Sequence, residues 1–223
     1  MKRIPYRTVW VELVDVESKL RPWGAKPGIT EPEPSWTVPV LSFPHPSGKP
    51  TFISESFAIA LELDKLYPSP CIFPPGTHAL QTMFAHSIAT GFHKKLLPLL
   101  IPRLADHCFR PANRPYWLKT RTAMFGDLDA WCPEGSEKRE LAWAEAKKTL
   151  DLVDMAMRHN PNTVDGEFVM GSQLTMADIG IVVQLIWLEK AGAPGDWERV
   201  CEWHDGRWKR LFDRFVPYMQ QTD

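Results

Sequence analysis

Two segments are the most informative about the fold: WTVPVL at residues 36–41 and FISESFAI at residues 52–59. Their β-branched and aromatic side chains are typical of strands, and they predict one strand at residues 38–43 and another at residues 51–54. Proline and glycine between the two strands predict a hairpin-like connection. Apolar residues then recur at helical spacing over residues 59–67, so the hairpin is expected to lead directly into a helix.

Glu55 and Ser56, at the start of that helix, admit two interpretations. They can serve only the helix, since serine is a preferred cap and glutamate suits a first turn. They can also bind a ligand, because the free N–H groups of a helix N-terminus and the Ser56 hydroxyl suit a carboxylate, whereas the Glu55 carboxylate suits an ammonium. A carboxylate and an ammonium on one carbon describe the head of an α-amino acid.

Pro39, at the head of the first strand, also admits two interpretations. Only about 5–6% of X–Pro bonds are cis, which favours an ordinary trans turn proline when Pro39 is taken alone. A cis bond would instead turn Val38 so that its N–H and C=O face a ligand, as an added strand would present them.

The residues before the hairpin are less informative. Residues 8–13 are rich in β-branched and aromatic side chains and predict a strand. Residues 16–20 fit one short helical turn. Residues 22–36 carry four prolines and two glycines, which predict a loop.

A proline-rich stretch at residues 69–76 predicts a stiff linker between two domains. The sequence therefore predicts a small α/β domain at residues 1–68 and an all-helical domain at residues 77–223. In the second domain, apolar residues recur every three or four positions over residues 143–157, and this helix is expected to end before Pro161.

Three other features of the helical domain carry predictions. Residues 179–188 are apolar nearly all round, so this helix is expected to be central and buried. Thr175 can cap it, with Asp178 at the third helical position as a variant capping box. Apolar residues over 197–215 predict one face of a final helix, in which His204 is expected to be a satisfied core residue.

Together these features resemble the glutathione S-transferase superfamily over nearly the whole chain. The strongest blocks of the resemblance are residues 37–41, 53–68, 72–77 and 170–192. The fungal etherase-like class of that superfamily is most similar at residues 73–77, 115–117, Arg121 and residues 125–126. The resemblance implies a truncated thioredoxin-like α/β domain followed by an all-α domain.

The resemblance also implies a glutathione site in the first domain. Val38, beside Pro39, would hold the cysteinyl backbone of glutathione. Glu55 and Ser56 would hold its γ-glutamyl head. Thr175 and Asp178 would form a structural folding box and take no part in catalysis.

The sequence departs from this family at its front. Family members open with a strand, a loop carrying a catalytic Ser, Cys or Tyr, and a first helix, whereas residues 4–12 look like the end of that helix and the second strand. Tyr6 enters the second strand and is therefore rejected as the catalytic residue. A strand and a crossover amount to about 20–30 further residues, which are expected upstream together with the unknown catalytic residue.

Composition excludes several other classes. A net charge of -1 with scattered basic residues gives no reason to expect nucleic acid. The longest apolar run, residues 179–188, is far shorter than the roughly 20 residues of a membrane span, and no signal peptide opens the chain. Four cysteines without a CxxC pattern predict reduced thiols in the cytoplasm. Only His86 and His93 could share a helical face, and no metal site is expected.

The expected function is a glutathione transferase that conjugates glutathione to an apolar electrophile or cleaves an ether with it. The resemblance implies a homodimer with a role in detoxification or secondary metabolism. The alternative is a non-catalytic glutathione-transferase-like binding or regulatory protein, and a glutaredoxin-type reductase is disfavoured because no cysteine lies in the required loop. Core packing is the favoured role for seven residues that could also line a co-substrate pocket: Met83, Phe84, Phe92, Tyr116, Trp117, Met124 and Phe125.

Overall fold

The computed structural model describes residues 1–28, 35–44, 48–160 and 168–219. The chain divides into two compact units, Met1–Cys71 and Ile72–Thr222, called here the N-terminal and C-terminal units. Their boundary falls inside the proline-rich stretch at residues 69–76.

The described residues of the N-terminal unit form one hairpin and two α-helices. Its elements are the helix α1 (Val16–Trp23), the strands β1 (Val40–Phe43) and β2 (Thr51–Ser54), and the helix α2 (Ser56–Leu66). The strands are antiparallel, with Val40 opposite Ser54 and Phe43 opposite Thr51. The predicted hairpin and the helix that follows it are thus confirmed. Within the hairpin connection, residues 45–47 lie outside the described residues.

The predicted strand at residues 8–13 is wrong. Residues 1–12 form neither helix nor strand, and Leu13 begins a short 3-10 turn. A strand exists only with a hydrogen-bonded neighbour, and no described segment pairs with this one. The helix α1 is also longer than the single turn predicted, since it runs through Pro22 to a left-handed cap at Gly24. Of the predicted loop, residues 29–34 lie outside the described part.

The small core of this unit joins α1 to the hairpin. Val16, Leu20 and Ala25 are buried. Four partly buried side chains pack against them: Val11, Trp36, Val40 and Phe52. Since Val40 and Phe52 belong to β1 and β2, apolar burial fixes the hairpin against α1.

Within the described residues, the regular elements of the C-terminal unit are helices, apart from isolated β-bridges that join Phe168 to Gly171 and Met170 to Gln173. This unit contains α3 (His78–Ser87), a π-helical turn (Ile88–His93), α4 (Lys94–His107), α5 (Arg114–Phe125), α6 (Glu137–Met157), α7 (Met176–Ala191), α8 (Asp196–Glu202) and α9 (Arg207–Met219). The predicted helix over residues 143–157 is confirmed as the greater part of α6. No helix in the described ranges is long and apolar enough to cross a membrane.

The helix α7 lies at the centre of this unit, where it packs against α3, α4, α8 and α9. Ile181, Leu185 and Leu188 are fully buried, which confirms the predicted central position. Burial is not all round, however, because Val183 is 51% exposed. An apolar helix surface therefore reaches solvent at this point of α7.

Thr175 and Asp178 form a capping box at the start of α7. The Thr175 N–H donates to the Asp178 carboxylate at 2.8 Å, and the Thr175 hydroxyl donates to it at 3.0 Å. The Val169 N–H donates to the other carboxylate oxygen at 2.7 Å. Burial raises the pKa of Asp178 to about 6, against the opposing effect of these hydrogen bonds.

The predicted final helix is wrong in one respect, because it is two helices. Between α8 and α9, His204 and Asp205 adopt left-handed backbone angles, with φ of +54° and +56°. The apolar pattern does not reveal this break, since buried residues continue on both sides of it. His204 is nevertheless satisfied as expected: its Nε2 lies 2.7 Å from Asp151, and its Nδ1 accepts from the Trp208 indole at 2.7 Å.

Candidate functional site

The end of the hairpin next to α2 brings together the residues singled out in the sequence. Because Val40 lies opposite Ser54, Pro39 and Glu55 follow at the same end of the two strands. The Val38–Pro39 peptide bond is cis, so the trans interpretation is wrong. Val38 is 55% exposed, and Ser56 is exposed as well.

Glu55 has an unusual backbone conformation. Its φ is +74° and its ψ is 120°, in a region that side chains other than glycine seldom occupy. It stands immediately before α2, and its carbonyl accepts the Ile59 N–H at 2.9 Å. Its side chain makes no capping hydrogen bond. The first turn of α2 therefore starts without a carboxylate cap from Glu55.

The Glu55 carboxylate is also exposed, and within the described ranges no cation lies at ion-pair distance from it. Nor is Ser54 the cap of α2, because its hydroxyl donates to the Lys26 carbonyl at 2.7 Å. The site thus combines an acceptor carboxylate with the donor end of a helix and the exposed Ser56 hydroxyl. These are the groups that an α-amino acid head requires.

Gly28, in a segment for which the sequence predicts only a loop, also lies at this site. The Gly28 N–H donates to the Ser35 carbonyl at 2.9 Å. A Cβ atom on Gly28 would lie 2.0 Å from Oε1 of Glu55 and 3.3 Å from Oγ1 of Thr37. The sequence indicates here only a glycine in a glycine- and proline-rich loop. It does not predict that this glycine lies beside Glu55.

The thiols of the chain are unsuited to nucleophilic chemistry. Burial raises the pKa of Cys108, Cys132 and Cys201, which favours the protonated form at neutral pH. The Cys71 thiol donates to the Asp64 carboxylate at 3.3 Å. All four cysteines are free, and the described residues contain no cluster of potential metal ligands.

The seven aromatic and methionine residues of the helical unit differ in burial. Phe92 and Trp117 are buried and belong to the core, as favoured. Met83 and Met124 are 69% and 60% exposed, so packing in the core of this chain does not explain them. The Arg121 guanidinium lies 4.2 Å from the centre of the Trp117 ring, and burial lowers its pKa.

Comparisons with known proteins agree with these observations. The family model for the glutathione S-transferase C-terminal domain matches residues 79–218. The glutathione S-transferase-like protein ustS of Aspergillus flavus is 24% identical over 233 residues, which cover 98% of this chain and 80% of that protein.

Two solved structures are similar over the whole chain. A glutathione S-transferase of Ceriporiopsis subvermispora, solved in complex with glutathione, is 32% identical with a TM-score of 0.88, and the match covers 100% of this chain and 87% of that one. A glutathione transferase of Phanerochaete chrysosporium is 28% identical with a TM-score of 0.86, and the match covers 100% and 86%.

The chain belongs to the glutathione S-transferase family. The predicted fold class, a thioredoxin-like N-terminal domain followed by an all-α domain, is confirmed by the likeness to both solved structures.

Proposed function

We propose that this chain binds glutathione at the α2 end of the hairpin and transfers its sulfur to an apolar electrophile. The observation that carries the proposal is the conformation of Glu55. Glu55 has a positive φ and lies directly before the N-terminus of α2, which its side chain does not cap. Its carboxylate has no cationic partner among the described residues. The Ceriporiopsis subvermispora relative was solved with glutathione, which supports the same ligand for this chain.

Each part of glutathione has a partner in this proposal. Glu55 pairs with the γ-glutamyl ammonium, whereas Ser56 and the first N–H groups of α2 bind the γ-glutamyl carboxylate. The backbone N–H and C=O of Val38, next to the cis bond to Pro39, hold the cysteinyl unit as an added strand. These four residues form the glutathione-binding set, and Thr175 and Asp178 stabilise α7 and take no part in the chemistry.

The reaction is a displacement by sulfur. The glutathione thiol loses its proton, the sulfur forms a bond to an electrophilic carbon, and the leaving group departs with the electron pair of the broken bond. A halide leaves in conjugation, and an alkoxide or phenoxide leaves in ether cleavage. A thiol with a pKa near 8.5 needs a nearby hydrogen-bond donor to react as a thiolate at neutral pH. None of the four residues of the proposed glutathione site has this role.

The co-substrate is proposed to be an apolar molecule bound by the C-terminal unit. The exposed Met83, Tyr116 and Met124 support this, because each offers apolar surface that an apolar ligand could cover. A homodimer in the cytoplasm is proposed with the same function.

Glutathione titration combined with chloride release from an aromatic chloride tests the proposal. We expect calorimetry to detect binding and the purified chain to release chloride in a glutathione-dependent manner. Binding without chloride release from any electrophile in a panel would favour the non-catalytic glutathione-binding alternative. Absence of binding at millimolar glutathione would contradict the proposal.

A further inference from the structure

The contact between Gly28 and Glu55 sets how the Glu55 side chain lies. The position that a Cβ atom of residue 28 would occupy is 2.0 Å from Oε1 and 3.2 Å from the carboxyl carbon of Glu55. Atoms essentially never approach a Cβ so closely, so the Glu55 carboxylate occupies space that exists only because residue 28 has no side chain.

The backbone of residue 28 is held in place from two sides. Gly28 is buried, and its N–H donates to the Ser35 carbonyl at 2.9 Å. Two residues earlier, the Lys26 carbonyl accepts the Ser54 hydroxyl at 2.7 Å, which ties this loop to the last residue of β2. Lys26 is therefore tied directly to Ser54, the residue before Glu55, and this contact keeps the backbone of Gly28 near the carboxylate.

The Glu55 carboxylate, in contrast, can be displaced, because it is the far end of an exposed, flexible side chain. The backbone of Glu55 has a positive φ, and its carbonyl accepts the hydrogen bond from the Ile59 N–H. Gly28 itself does not have a positive φ, so alanine fits its backbone without strain. An added methyl group would thus displace the carboxylate and leave the loop intact, apart from a small adjustment at Thr37.

We propose that Gly28 is a positioning residue for glutathione binding, which acts by admitting the Glu55 carboxylate to the place where it meets the γ-glutamyl ammonium. This inference rests on the function proposed above. It makes Gly28 a determinant of specificity for the ammonium group: Gly28 does not touch the ligand, and its effect is confined to ligands that carry this charge.

Affinities for two ligands measure this effect. Glutathione and an analogue that lacks the α-amino group are titrated into the wild type, Gly28→Ala, Glu55→Ala and the double variant. We expect the wild type to prefer glutathione by about tenfold or more, as for a charge-assisted hydrogen bond, and Gly28→Ala to lose most of that preference while binding the analogue as before. In the Glu55→Ala background, Gly28→Ala should have no further effect, because the group it displaces is gone.

Gly180→Ala is the matched control. Gly180 lies in α7 without any atom within 4 Å of the added methyl group, so the same substitution should leave the preference for glutathione unchanged. Thermal unfolding of Gly28→Ala should show a midpoint close to that of the wild type. If Gly28→Ala does not fold, Glu55→Asp carries the test, because a side chain shorter by one methylene cannot bring its carboxylate to the space beside Gly28, and this variant should lose the preference for glutathione.

The outcomes separate this inference from the proposed function. A folded Gly28→Ala with wild-type preference for the ammonium overturns the inference, even where Glu55→Ala loses that preference and so supports the glutathione site. In the Glu55→Asp test, unchanged preference overturns it too. If the wild type binds neither ligand, the proposed function fails, and the inference fails with it.

Discussion

At the scale of single residues, Glu55 carries most of the functional argument. A positive φ at a residue other than glycine, aspartate or asparagine is costly and persists where the surrounding structure enforces it. Here the neighbouring structure is a helix without a side-chain cap from Glu55 and a glycine whose missing side chain leaves room for the carboxylate. Two independent features thus shape the surroundings of one exposed charge, which favours a ligand over a purely structural role.

Asp178 gives a residue-scale prediction for stability. Asp178→Ala removes the acceptor of the Thr175 N–H and the Thr175 hydroxyl, which are buried, and of the Val169 N–H, which is partly buried. We expect a loss of about 2–4 kcal/mol in the free energy of unfolding, because buried donors remain without partners. Urea unfolding followed by circular dichroism measures it.

The matched control is Asp127→Ala. Asp127 accepts two backbone N–H groups in an exposed turn, so its removal should cost about 1 kcal/mol or less. If Asp178→Ala destabilised the chain no more than this control, the capping box would not have the structural role proposed for it.

The residues of the site were predictable to unequal degrees. Glu55 and Ser56 stand out in the sequence because a carboxylate and a hydroxyl open a helix directly after a strand. Gly28 does not, since its partner lies 27 positions away, beyond both strands of the hairpin, and no local pattern links the two residues. The cis bond before Pro39 was not predictable either, because proline alone favours trans by frequency.

At the scale of elements, the close approach of the π-helical turn to α6 depends on Gly91. A Cβ on Gly91 would lie 2.5 Å from Oγ1, 3.0 Å from Cγ2 and 3.3 Å from Cβ of Thr149. Since every staggered rotamer of the threonine keeps at least one branch at this contact, Gly91→Ala should force the helices apart and cost about 1–3 kcal/mol in the free energy of unfolding.

Thr149→Ala removes the two side-chain atoms that would clash with a methyl group at residue 91. The double variant Gly91→Ala/Thr149→Ala should regain most of the stability that Gly91→Ala loses, because the branches that meet the new methyl group are removed. Urea unfolding of the four proteins measures the coupling. Strict additivity of the two substitutions would show that this contact does not limit helix packing.

Elements with local signals were predicted well, and those that depend on distant partners were not. The hairpin, α2 and α6 follow from periodicity and turn residues. The strand expected at residues 8–13 requires a neighbour that no described segment supplies, so β-propensity alone misled. The break between α8 and α9 depends on left-handed angles at His204 and Asp205, which a helical apolar pattern passes over.

At the scale of the whole molecule, the stability should depend on pH through Asp154. This buried carboxylate of α6 accepts from Arg158 at 2.7 Å and from Arg207, at the start of α9, at 2.6 Å. Burial acts to raise the pKa of Asp154, but the hydrogen bonds from the two arginines outweigh it, and the pKa is lowered. The folded chain therefore keeps the charge to a lower pH than the unfolded chain does.

The sign of the effect follows from that lowered pKa. The contribution of Asp154 is complete above the unfolded pKa of about 4 and is lost as the pH falls through the lower folded value. We expect the difference in free energy of unfolding between the wild type and Asp154→Asn to be largest at pH 6 and to shrink towards pH 3. Unfolding curves at several pH values measure it, and a difference that stays constant would remove Asp154 as a source of acid sensitivity.

Glu55 is proposed to bind the ammonium of glutathione. Calorimetric titration of glutathione into the wild type and into Glu55→Ala measures its contribution to the affinity. Glu62→Ala is the matched control, since Glu62 lies in the same helix as Ser56 and makes a long ion pair with Lys65 at 3.7 Å. We predict that Glu55→Ala weakens binding by about 2 kcal/mol or more, roughly 30-fold, while Glu62→Ala binds as the wild type does. Equal affinities in all three proteins would contradict the account.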